Sequence, residues 1–248
     1  MSGAARIVVF CKEPAPGRVK TRLAAHLGAE RAAALAWVML EDTLAGLGEA
    51  ARELGAEPWL LYDPASPRAG PPGAGRPGAG LRALAAEHGW RLAPQAGGGL
   101  GERLAAGLAE GEVARLALGG DAPDLPRAHL RDALARLAPG CALFDPAPDG
   151  GFVLLGLGQG VDGACLADPT IAWSSSTALA GCAGALEAAG ARLLPALPGW
   201  RDVDELADLE ALAARLGRDP TAAPRTAVWL EGQRAALGLP PASDCCPP

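Results

Sequence analysis

Short apolar runs alternate along this chain with longer stretches in which apolar residues recur every three or four positions. Arg6–Cys11 (RIVVFC) is a nearly continuous apolar run with β-branched residues, the pattern of a strand buried on both faces. The runs at Glu57–Tyr62 (EPWLLY), 90–94, 114–118, 141–145, Phe152–Leu157 and 192–196 read as further strands. Helical patterns lie between and beyond them, at 20–54, 81–88, 101–110, 126–137, 177–189, 205–216 and 228–237. Gly28 divides the first of these into two pieces. Pro126 suits the first turn of its helix, and Ser174, Ser175 and Ser176 offer an N-cap for the helix that begins at Thr177. Residues 64–80, rich in Pro, Gly and Ala, read as a surface loop.

Strands that alternate with helices predict an α/β fold, a single-domain α/β/α sandwich with a mostly parallel central sheet. The domain is expected over 1–217. A C-terminal extension, 218–248, carries a short helix and a Pro/Cys tail expected to be disordered. In such sheets ligands gather at the carboxyl ends of the strands. The loops after Cys11, Tyr62, Leu118 and Asp145 are therefore the places where chemistry is expected.

Composition narrows the function classes. With 50% hydrophobic and 20% charged residues over 248 positions, the chain can bury a core, which excludes a disordered regulator. No apolar run approaches the roughly 18 residues of a membrane helix. No basic start followed by an apolar stretch and a cleavage site is seen, so a cytoplasmic protein without membrane attachment is expected. A net charge of −6 argues against a general nucleic-acid binder. The chain has 56 alanines and 20 arginines but only two lysines, Lys12 and Lys20, and both fall in one N-terminal loop. A loop that keeps its ammonium groups against so strong a bias toward arginine points to a need for compact charge. The six cysteines show no CxxC pair and are expected to be reduced thiols. Cys11 and Cys141 lie in apolar runs; Cys245 and Cys246 lie in the tail and are expected to be non-catalytic, with soft-metal or arsenic binding as the lesser alternative.

Five segments could carry chemistry. KEPAPGRVKTRL, from Lys12 to Leu23, follows the first strand and enters a helix. Its Lys12, Arg18, Lys20 and Arg22 make an anion site for phosphates, although it is neither a Walker A loop nor a GxGxxG turn. A surface lysine changes stability by under about 0.5 kcal/mol when removed, so Lys20→Ala is expected to fold normally and to lose nucleotide. LALGGDAPDLP, from Leu116 to Pro126, delivers Asp121 to a strand end, where a carboxylate can hold a divalent cation that bridges phosphates. In FDPAPDGGFVLLG, Asp149 precedes two glycines that permit close ligand approach, or simply a hairpin. In WRDVDELADL, Asp202 and Asp204 precede a helix; either can cap it or reach a metal. In QAGGGLGERL, Gln95 and a Gly-rich turn can read a base edge or form a plain loop. His26, His88 and His129 read as surface or packing residues.

Taken in order, these segments resemble the bacterial GT-A-type glycosyltransferase-like proteins found near radical-SAM and arsenosugar-biosynthesis genes. The likeness spans about residues 5–215 and rests on KxPxPGxVKTRL, QxGGxLGERL, a strand ending in GDxPDLP, PAxDGGFxLLG, WSSST and DVDxxxDL. More distantly the chain resembles 2-phospholactate guanylyltransferase and other small nucleotidyltransferases. The resemblance implies a nucleotide-diphosphate-sugar site. Lys12, Arg18, Lys20 and Arg22 would face phosphates, and Gln95 and Gly101 would lie near the base. Asp121 and Asp204, with Asp202 in reserve, would hold Mg²⁺ or Mn²⁺. Asp149 would face the reacting sugar or the acceptor, with Asp149 and Lys20 as the catalytic pair. The chain departs from the family pattern at Gly99, where relatives often have Asp, and at Gly120, where they often have Ser or Thr; Pro123 prevents a full DxD.

The expected activity is therefore metal-assisted transfer of a sugar from a nucleotide-sugar donor to a small-molecule acceptor. Nucleotidyl transfer from a nucleoside triphosphate with release of pyrophosphate is the alternative. A non-catalytic nucleotide-binding protein is the third reading.

Overall fold

The computed structural model describes residues 5–63, 77–109 and 111–237. Most of the expected loop at 64–80, and the tail with Cys245 and Cys246, lie outside the described residues. The strands are β1 (Arg6–Cys11), β2 (Glu57–Tyr62), β3 (Arg91–Pro94), β4 (Arg115–Gly119), β5 (Cys141–Pro146), β6 (Phe152–Leu157) and β7 (Arg192–Leu193). The helices are α1 (Thr21–Leu27), α2 (Ala29–Leu54), α3 (Ala79–Glu87), α4 (Leu100–Gly107), α5 (Arg127–Arg136), α6 (Ala178–Ala188), α7 (Leu206–Arg218) and α8 (Pro224–Gln233). A single 3-10 turn, Gly163–Ala167, precedes α6.

These strands form one sheet in the order β3-β2-β1-β4-β6-β5-β7. β1 pairs in parallel with β2 and β4, β2 with β3, and β5 with β7. β6 runs against both β4 and β5. Strand alternation sorts the apolar residues onto two faces. Ile7, Val9, Leu60, Leu116, Leu118 and Leu154 pack with Leu40 and Leu44 of α2, Leu81 of α3 and Leu130 of α5. Val8, Leu61, Ala117, Phe144 and Leu155 pack with Leu104 of α4, Leu166 of the 3-10 turn and Leu186 of α6. The sheet is thus covered on both sides, as an α/β/α sandwich requires. A third cluster joins Leu23 and Leu27 of α1, Leu35 and Met39 of α2, Leu209 and Leu212 of α7 and Leu230 of α8. This cluster ties α1 and α7 into one apolar assembly with α2 and α8.

The structure departs from the sequence pattern most clearly at β7, at the start of α6 and at the start of α8. β7 is only two residues long rather than five. Beyond it the chain continues along the edge of β5 as an irregular strap, because Pro195 and Pro198 have no N–H to donate. Leu194, Leu197 and Trp200 still donate backbone bonds to Ala142, Phe144 and Pro146. The three serines do not cap α6: its N-cap is Thr177, and Ser175 instead accepts a bond from the Thr177 amide at 3.2 Å. α8 begins at Pro224, earlier than the apolar pattern indicates, because Asp42 of α2 accepts from the amides of Arg225 and Thr226 at 3.2 and 2.7 Å. A buried carboxylate from another helix caps that end.

Candidate functional site

The loops after β1, β4 and β5 share one end of the sheet, because these three strands point the same way. The strap after β7 climbs to the same end and ties there: Val203 N donates to Asp121 O at 3.0 Å. Gly199 N donates to Asp145 Oδ1 at 2.8 Å, and His129 Nδ1 lies 2.5 Å from the other oxygen of that buried carboxylate. His129 is accordingly a packing histidine that helps anchor the strap. Together these segments surround a cleft of about 860 Å³.

One wall of the cleft is acidic. Asp121 follows β4, Asp149 sits in the β5–β6 hairpin, and Asp202 and Asp204 come from the strap. Asp149 accepts from Gly151 N at 2.9 Å, which closes a tight turn. Gly150 within this turn has φ 87°, and a Cβ there would lie 2.1 Å from Ser176 O. Only glycine lets the hairpin approach the segment Trp173, Ser174, Ser175, Ser176 so closely. Ser174 itself adopts a left-handed conformation at φ 59°. Burial, and then the neighbouring carboxylates of Asp204, Asp121 and Asp149, push the Asp202 pKa up to about 6 against the opposing pull of Lys20.

Lys20 belongs to this acidic wall. It stands at the entry to α1 with φ 48° and ψ 43°. Its ammonium lies 2.7 Å from Asp121 Oδ1 and 2.9 Å from Asp204 Oδ1. The lysine side chain is 4% exposed, whereas both carboxylates are about half exposed. Burial works to lower its pKa, but the two carboxylates outweigh that and hold it above the ordinary lysine value. The lysine read from the loop's composition as a surface residue is thus a buried ion-pair partner, and Lys20→Ala would leave Asp121 and Asp204 without their shared cation, so the small cost of removing a surface lysine no longer applies to it.

The other positions read from the sequence fall in varied places. Lys12 and Arg18 line the cleft. Arg18 lies 4.0 Å from Asp63, and Lys12 has no ion-pair partner among the described residues. Arg22 also reaches the rim, where it pairs with Glu205 at 3.0 Å. Gln95 lines the cleft but is buried, with its amide donating to Cys11 O at 2.9 Å and Leu61 O at 2.7 Å. Both donors are spent on tying β1 to β2; the amide oxygen accepts from Arg103 at 3.3 Å. Gly101 is a packing glycine: a Cβ would lie 2.4 Å from Leu166 O and 2.5 Å from Trp173 Nε1. Its neighbours Gly98, Gly99 and Leu100 line the cleft instead.

Arg103, Trp173 and the three serines also line the cleft, and none was given a ligand role from sequence. Arg103 is oriented by Gly98 O at 3.0 Å and Asp63 at 3.8 Å. An arginine inside an amphipathic helix carries no spacing signal. The serines did, since WSSST recurs in the resemblance, but their hydroxyls read as caps.

The acidic wall offers only oxygen donors, which suits a hard divalent cation such as Mg²⁺ or Mn²⁺. Among the described residues no three His, Cys, Asp or Glu side chains are grouped as a metal cage. Two carboxylate oxygens do converge on one point, which the Lys20 ammonium marks. The donor chemistry of Asp121 and Asp204 fits such a divalent cation, with these two carboxylates supplying part of its ligand set.

Known proteins bear on this geometry. The fold superposes on a crystal structure from Desulfovibrio desulfuricans G20 described as a "putative nucleotide-diphospho-sugar transferase", with a TM-score of 0.78 and 27% identity over 96% of this chain and 98% of that one. No curated protein matches the sequence. Among the described residues, no helix is long and apolar enough to cross a membrane. Residues 44–175, more than half of the chain, match the family described as "Uncharacterized protein conserved in bacteria (DUF2064)"; the segment includes Gln95, Asp121 and Asp149, and the chain belongs to that family.

Proposed function

We propose that this protein is a transferase that uses a nucleotide-activated donor: a GT-A-type glycosyltransferase that moves a sugar from a nucleoside-diphosphate sugar to a small-molecule acceptor. The observation that carries this reading is that Lys12, Arg18 and Arg103 line one cleft together with Asp121, Asp149, Asp202 and Asp204, at the carboxyl ends of β1, β4 and β5. Lys12, Arg18 and Arg103 supply charge for the donor's diphosphate. Asp121 and Asp204 would hold Mg²⁺ or Mn²⁺, which when bound neutralises charge on the leaving diphosphate. Lys20, beside these carboxylates and in the same cleft, supplies a further positive charge toward the diphosphate. Asp149, in the hairpin beside Trp173 and the serines, would accept a proton from the acceptor's nucleophile as it attacks the anomeric carbon. The C–O bond to the diphosphate breaks as the new glycosidic bond forms, and the nucleoside diphosphate leaves. The likeness to the Desulfovibrio protein supports a nucleotide-sugar donor.

A thermal-shift panel of nucleoside-diphosphate sugars and nucleoside triphosphates, each with Mg²⁺ or Mn²⁺, tests the reading. A ligand present at a hundred times its dissociation constant stabilises the fold by about 2.7 kcal/mol. Lys12→Ala is the cleanest variant, because Lys12 is exposed. It is expected to fold as the parent does and to lose roughly ten- to a hundredfold in affinity. Nucleoside diphosphate released from a sugar donor supports glycosyl transfer. Pyrophosphate released from a triphosphate would establish nucleotidyl transfer instead.

A further inference from the structure

The ammonium of Lys20 is gripped between Asp121 Oδ1 and Asp204 Oδ1, at 2.7 and 2.9 Å, and is nearly sealed from solvent. A divalent cation that uses these oxygens must compete with the ammonium for their lone pairs, and the two positive charges repel at that range. The acidic wall also carries Asp149 and Asp202, so one ammonium leaves the cluster with an excess of negative charge. Such a cluster gains from replacing a monovalent cation by a divalent one. The released ammonium then needs another anion within reach of its flexible stem. The cleft lies directly beside it, since Lys20, Lys12 and Arg18 line the same space.

We propose that Lys20 is an internal cation, which closes the acidic cluster in the free protein and exchanges for a divalent cation when the donor's phosphates arrive. The ammonium passes from Asp121 and Asp204 to phosphate oxygens as the divalent cation takes the two carboxylates. No covalent bond changes, and charge is conserved in the exchange. The proposal rests on the reading that the cleft takes a nucleotide's phosphates. It explains why cation and nucleotide should bind together: each vacates or fills what the other needs, and the coupling is reciprocal. In the free protein the lysine blocks the metal. Removing the lysine should therefore strengthen binding of the bare metal while weakening binding of the nucleotide. A lysine that served only as a phosphate contact would leave bare-metal binding unchanged.

The test measures Mn²⁺ binding in the absence of nucleotide, by the loss of the free-ion paramagnetic resonance signal, for the parent, Lys20→Met, and Lys20→Met with Asp204→Asn. The single variant is expected to bind Mn²⁺ at least about tenfold more tightly than the parent, because a positive charge beside the site is gone. The double variant is expected to return to weak binding. Lys20→Gln, which can still bond to a carboxylate, gives the same comparison if Lys20→Met does not fold by circular dichroism. A folded variant that binds Mn²⁺ no more tightly than the parent overturns the exchange. The parent offers an independent readout, since lysine-specific ¹⁵N labelling yields two side-chain signals from its two lysines. The buried Lys20 signal should hold its position with Mg²⁺ alone and shift with Mg²⁺ plus UDP or GDP; displacement by Mg²⁺ alone also counts against the proposal. If neither nucleotide binds the parent, the proposed function loses support, while the Mn²⁺ comparison still decides the fate of Lys20.

Discussion

Asp202 makes the stability of this protein depend on pH in a way that one substitution can isolate. Its carboxyl group titrates at about 6 in the fold against an ordinary value of 3.8. The shift of about two units corresponds to about 3 kcal/mol at 1.36 kcal/mol per unit. The sign follows from linkage. At pH values below the unfolded pKa, the group is protonated in both states and adds no penalty. Between about 4 and 6 the unfolded chain gives up this proton while the folded chain keeps it, so stability falls as pH rises. Above the folded pKa the full penalty is in place and no longer changes. Asp202→Asn keeps the shape of the neutral acid and cannot ionise. Its stability relative to the parent should therefore rise by up to about 3 kcal/mol from pH 3.5 to pH 7. The assay is urea denaturation of both proteins across that range with chelator present, because a bound divalent cation would itself favour the ionised form. Carboxylates remote from Asp202 titrate alike in both proteins and cancel in the difference. Raising the salt should shrink the part due to Asp204, Asp121 and Asp149 and leave the burial part. A parent-to-variant difference that is flat with pH would refute the reasoning, and would mean that Asp202 is hydrated or paired in solution.

Gly150→Ala should destabilise the fold by about 1–3 kcal/mol, since its Cβ has no room beside Ser176 and the backbone is left-handed; a calorimetric midpoint equal to the parent's contradicts this. Arg115→Met should cost more than about 3 kcal/mol in chemical denaturation, because the buried guanidinium donates to the carbonyls of Leu108, Gly158 and Val161. Asp42→Ala should cost about 1–2 kcal/mol by removing the acceptor for two amides at the start of α8, and should leave nucleotide affinity unchanged when measured by calorimetric titration.

Much of the fold follows from local pattern. β1, β2 and β6 fall where their apolar runs begin and end, because a run of β-branched and large apolar residues bounded by turn formers has few other uses. Gly28 separates α1 from α2 because glycine there has φ 80°. The reversed direction of β6 was also implicit in the chain: only a few residues join β5 to β6, too few for a parallel crossover, and they include Asp149, Gly150 and Gly151. The acidic residues were legible because they sit at strand ends and before a helix, where a carboxylate can hold a cation or cap the helix.

The partners of those residues were decided elsewhere. Lys20 and Asp204 are 184 positions apart, and no spacing rule connects them; the tertiary cluster of α1, α2, α7 and α8 brings them within bonding distance. Gln95 stood in a motif that suggested a base contact, yet its amide bonds to Cys11 O and Leu61 O because β1 and β2 lie side by side there. His129 could not be matched with Asp145, nor Asp42 with α8, until the helices were docked. Periodicity and turn chemistry were enough to specify the elements, the layered α/β class and the residue types that gather at the strand ends. Which charge meets which emerged with the packing of the helices, because side-chain pairing depends on distances that close through the fold, and a lysine reads the same in sequence whether it faces solvent, phosphate or two carboxylates.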